Sequence, residues 1–127
     1  MLDAIERLLE ADEWRVHQVG TVPNSPVYPY LLLYALQPVP VRSMARSEGA
    51  RTFRFGVTVV DLGGQHLEAD ADKVEALLEG SRALHPLSRI EMRARHPIIR
   101  DADVTSDGQE PATLPIHFTT TIPRGSA

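Results

Sequence analysis

Gly63 and Gly64 stand between an apolar run, "FRFGVTVVDL", and an acid-rich helical pattern, "EADADKVEALLEG". A strand, a glycine turn and a helix are also the parts of a phosphate-binding loop. That loop needs G-x-x-x-x-G-K-[ST], so that backbone amides and a lysine surround the phosphates. Here the glycines are adjacent, no lysine or serine follows them, and Glu68, Asp70 and Asp72 open the helix. Carboxylates at that end repel a phosphate and suit helix capping instead. "DADVTSDG", from Asp101 to Gly108, offers oxygens as a calcium loop does. An EF-hand requires glycine at its sixth position and glutamate at its twelfth. Ser106 and Ala112 stand there, so the stretch reads as an acidic, solvated turn. The histidines, His17, His66, His85, His96 and His117, form no i, i+2 or i, i+4 pair of the kind that holds zinc on one element. No G-x-S-x-G elbow is present. None of these patterns marks a catalytic, cofactor-binding or metal-binding residue, although histidines distant in sequence could still converge in the fold.

Arginine is the remaining chemistry. Arg89, Arg93 and Arg95 alternate with Ile90, Met92 and Ala94, which places them on one face of a strand. Arginine makes directional pairs with carboxylates and is enriched at interfaces. We expect these three to contact a neighbouring subunit. Arg42, Arg46 and Arg51 belong to "PVPVRSMARSEGAR", a loop from Pro38 to Arg51 expected to be flexible and to order on assembly.

The elements around these residues follow from periodicity. Leu2, Ile5, Leu8 and Leu9 mark a first amphipathic helix over about 2–12. "WRVHQV" reads as a short strand. "VYPYLLLYALQ" is apolar on both sides and reads as a central strand that begins at Pro29. Phe53, Phe55, Val57 and Val59 alternate with polar residues in a half-buried strand. Leu67, Ala71, Val74, Leu77 and Leu78 form a helical stripe, and Gly80 is placed to end that helix. The arginine strand and a last strand through Ile116, Phe118, Thr120 and Ile122 complete the order α-β-β-β-α-β-β. This is a single α+β domain over 1–127, with a mostly antiparallel (mixed) sheet and its helices on one face.

Composition narrows function. The 127 residues include no cysteine, which removes disulfides and thiolate chemistry. A net charge of −4 argues against tight general DNA binding, which depends on neutralising phosphates. No apolar run approaches the roughly 20 residues of a membrane span. Acids in "MLDAIERLLEADEW" stand where a signal peptide needs positive charge, so the chain is expected to be soluble and made in the cytoplasm. The skew to Arg over the single Lys73 reads as a GC-rich genome.

The chain resembles the tail terminator proteins of long-tailed bacteriophages and their prophage relatives, a tail-completion (minor tail protein) family. The likeness lies in the first helix followed by "PVYPYLLL", in "RFGVTVVDLGG" running into "EADADKVEALLEG", in "SRIEMRARHP", and in "IIRDADVTSDGQEPATLPIHFTTTI". It spans nearly the whole chain and rests on order and spacing. The resemblance implies a small α+β structural protein of the virion, with no enzymatic activity and no cofactor. Copies would form a hexameric ring that caps the tail tube at the head-proximal end of the tail, stops polymerisation and offers a surface for head joining. Its partners would be other copies, the major tail tube protein and the head-side connector or neck protein. DNA would only pass through the lumen, and a net acidic chain suits such passage. The rival readings are a head-side neck or tail-completion protein and, more distantly, a small-ligand-binding or enzymatic α+β domain.

Overall fold

The computed structural model describes residues 2–23, 26–36, 50–84, 88–100 and 110–123. In chain order these form α1 (Leu2–Ala11), β1 (Val16–Gln18), β2 (Tyr30–Ala35), β3 (Ala50–Leu62), α2 (Leu67–Leu78), β4 (Glu91–Arg95), β5 (Ile99–Arg100) and β6 (Pro111–Pro123). The strands make a single mixed sheet in the order β1-β2-β3-β6-β4, with β5 also on β6. β1 runs parallel to β2, and the other pairs are antiparallel. The α+β class and single mixed sheet expected from periodicity are what the chain forms.

Both helices lie on one face. Ile5 and Leu9 of α1 and Leu67, Ala71, Val74 and Leu78 of α2 are buried in one cluster with Leu31, Leu33, Phe55, Val57, Val59, Ile116 and Phe118. The sheet residues in that cluster alternate along their strands, as the two-residue period requires. At about 25 cal/mol per Å² of apolar surface removed from water, this continuous layer is the main stabiliser of the fold.

Long β3 and β6 pair from Ala50↔Pro123 to Leu62↔Pro111 and form the spine. At the far end of β3, Gly63 and Gly64 both take φ of 75°. This left-handed geometry favours glycine and turns the chain sharply into α2. Gly80, at φ 79°, follows the other end of that helix, as expected.

Three expectations need correction. The loop from Pro38 to Arg51 ends earlier than its composition suggests, because Ala50 and Arg51 already pair with Pro123 and Ile122 in β3. Its remainder, including Arg42 and Arg46, lies outside the described residues, as does the segment 101–109. The acids at the start of α2 do not cap it. His66 occupies the N-cap without a side-chain hydrogen bond, and Glu68 and Asp72 turn to Arg95 instead. Finally, the sequence order omitted β5. Pro115 accepts from the His96 amide at 2.9 Å but has no N–H to return, and Pro97 follows. The pairing along β6 is therefore interrupted, leaving β5 a fragment of two residues beyond the break.

Candidate functional site

The three arginines singled out by spacing do not share a face. Glu91 pairs with Thr119 and Met92 with Phe118, but Ala94 pairs with His117 and Arg95 with Ile116, so the register shifts at Arg93. This is a β-bulge, and one inserted residue reverses the inward–outward parity of everything after it. Arg95 consequently shares the helix-covered face with Ile116. Its guanidinium lies 2.7 Å from Glu68 Oε2, 2.7 Å from Asp72 Oδ1 and 3.6 Å from Glu75 Oε1, all on α2. It also donates to the Glu68 carbonyl at 3.0 Å. The hydrogen bond to Asp72 leads the causes that raise the Arg95 pKa further. Arg95 is thus a strap between sheet and helix rather than an outward-facing group. A sequence signal for it existed: Glu68, Asp72 and Glu75 form an acidic stripe at helical spacing, which calls for a cation.

Arg89 and Arg93 remain on the outside, and both are exposed. With Arg82, Ser88, Glu91 and Thr119 to Thr121 they line a cleft of about 330 Å³ along the β4 edge. The Arg89 backbone is held firmly. Thr120 Oγ1 donates to its carbonyl at 3.0 Å, and Ser88 Oγ donates to the Thr121 carbonyl at 2.5 Å. The Ile90 amide donates to Ser81 O at 2.8 Å. Neither Arg89 nor Arg93 has a side-chain ion-pair or hydrogen-bond partner among the described residues. Two unpaired guanidinium groups on a fixed backbone suit bidentate recognition of carboxylates.

The sheet face opposite the helices has its own cluster, which sequence spacing did not reveal. Tyr34 lies over Gly56, where an added Cβ would collide with the tyrosine ring. The Tyr34 hydroxyl bonds Thr58 Oγ1 at 2.8 Å. His117 meets the Tyr34 ring edge-on at 6.4 Å between centroids. His96 Nε2 is 3.3 Å from His117 Nδ1, with ring centroids 4.4 Å apart. Burial first, then His96 and Arg54, push the His117 pKa below its ordinary 6.5. The two histidines are 21 residues apart in sequence, and only the β4–β6 pairing brings them together. Among the described residues, no three His, Cys, Asp or Glu side chains gather as metal ligands would. No helix there is long and apolar enough to cross a membrane.

No family model and no curated protein matches the chain. Nine solved chains are similar to it. One aligns over 94% of this chain and 95% of its own, at 18% identity and a TM-score of 0.45.

Proposed function

We propose that the chain is a structural, non-catalytic subunit of a phage-type tail, and that copies of it form a ring, hexameric as in the family it resembles. The ring caps the tail tube, ends its polymerisation and presents a surface to the head-side connector. The observation that carries this reading is the order of the motifs on which the resemblance rests. The tyrosine-proline strand, the long strand entering the Gly63-Gly64 turn, the arginine strand and the last strand all fall within a single sheet. The geometry of that sheet supports the reading further, because its outward groups suit protein contacts. An arginine cleft occupies one edge, and one face lies outside the helix layer.

The test uses tail tubes assembled without a terminator. Purified chain is added, and tube lengths and ends are measured by electron microscopy over time. Capped ends and arrested growth are expected. Continued growth with no density at the ends would overturn the reading. Binding to the head connector in place of the tube would replace it with the neck-protein reading.

A further inference from the structure

Two surfaces near opposite ends of the strand order differ in charge: the arginine cleft beside β4 and the acidic end of α1 near β1. β4, which contains Arg93 and is preceded by Arg89, forms one edge, and β1 forms the other, with α1 packed over β1 and β2. Around the end of α1, Glu10, Asp12 and Glu13 are exposed and have no side-chain partner among the described residues. Their position is electrostatically unfavourable within one chain. A helix C-terminus carries partial negative charge, which carboxylates worsen, and the last turn of α1 holds no base. Among the described residues, the nearby cations form no ion pair with these acids. Arg7 donates to the Asp3 carbonyl at 3.3 Å and Arg15 to the Pro29 carbonyl at 3.2 Å. Lys73 shares a shallow depression with Asp12 and Glu13 but makes no ion pair with them.

We propose that the Arg89–Arg93 cleft receives the acidic end of α1 from a second copy of this chain, in a head-to-tail contact. Both halves of the contact are incomplete in one subunit and complementary between two. Because they lie at opposite ends of the strand order, one chain cannot join its own halves, and the contact is heterologous. Repetition of a heterologous contact closes into a ring or extends into a filament. Glu91, the cleft's own carboxylate, lies between the two arginines in sequence and disfavours an incoming acid unless both guanidiniums engage it. Arg95 takes no part, since α2 already occupies it. The inference rests on the ring reading, of which it specifies the contact.

A charge swap tests it. Arg89→Glu with Arg93→Glu makes one variant, and Glu10→Arg with Glu13→Arg makes the other. Circular dichroism checks that each folds, and sedimentation velocity in low salt measures self-association. The parent should associate, and each swap should weaken association by at least about tenfold, as loss of interfacial charge pairs does. An equimolar mixture should recover hetero-association, because the altered acidic cleft of one variant matches the altered basic α1 end of the other, while their two native surfaces match each other as in the parent. A parent that remains monomeric at the highest soluble concentration overturns the inference. So do swap variants that associate like the parent, or a mixture that recovers nothing. Tube capping is scored separately on the same variants. Capping that survives both swaps leaves the tail-cap reading standing and removes only this contact.

Discussion

On the helix-covered face of the sheet, Phe55, Val57, Val59, Ile116 and Phe118 are sealed in one apolar layer. On the opposite face the same strands present Arg54, Gly56, Thr58, His117 and Thr119. Burial extends to this second face, where Thr58 and Thr119 are 7% and 6% exposed. The cause differs, however. The first face is closed by whole helices filling volume. The second is closed locally, by single contacts such as Tyr34 over Gly56 and His96 against His117. Volume filling tolerates no cavity and carries most of the stability. Single contacts carry less and leave the surface free to meet another molecule.

The largest expected effect therefore belongs to the covered face. Leu78→Ala should cost about 2–5 kcal/mol in chemical denaturation, as large-to-small core changes do. Leu32→Ala, half-buried on the open face, should cost clearly less, and an equal cost would erase the distinction between the faces. Next comes Gly56→Ala, whose added Cβ meets the Tyr34 ring. Its cost should be about 1–3 kcal/mol. The double change Tyr34→Ala with Gly56→Ala should be less destabilised than the two single costs added together, since the clash is then gone. Simple additivity would show that Tyr34 does not rest on Gly56.

Smaller still is the strap. The Arg95 side chain is 24% exposed, while Glu68 and Asp72 are 69% and 71% exposed. Exposed ion pairs are worth about 0–1 kcal/mol each. Arg95→Ser should accordingly lower stability modestly, with a gap to the parent that narrows in high salt. Arg89→Ser with Arg93→Ser should leave stability within about 0.5 kcal/mol. If the latter pair cost more than Arg95→Ser, the division between engaged and free arginines would be wrong.

The smallest effect is a pH dependence. The folded state holds the His117 pKa below 6.5, so below that value the unfolded state binds more protons. The His117 contribution to stability is present above pH 6.5 and is lost as the pH falls below it towards the lowered folded-state pKa. His117→Gln should flatten this decline in thermal melts at pH 5 to 7.5. An unchanged slope would assign the dependence elsewhere.

Where a pattern repeats, the sequence reveals the fold plainly. The stripe from Leu67 to Leu78 and the alternation through Phe55, Val57 and Val59 each report the side that faces the core, because burial acts at every repeat. The candidate site was less legible because single events set it. One inserted residue at Arg93 sends Arg95 to the opposite face, and nothing in the alternation announces it. The His96–His117 contact depends on pairing between distant strands, which local spacing cannot report. The opposition of charge between the arginine cleft and the acidic end of α1 needs the strand order itself, since β6, the last strand in sequence, separates β3 from β4.

The absence of native cysteine allows the central claim to be tested by covalent capture. Ala11→Cys marks the exposed end of α1, and Glu91→Cys marks the arginine cleft; both leave the proposed charge partners in place. The two single variants, mixed and mildly oxidised, should yield disulfide-linked heterodimers in excess over either homodimer. A chain carrying both changes should give a ladder ending at the ring number. Homodimers through Ala11→Cys alone, or no linked species beyond random collision, would contradict the head-to-tail account.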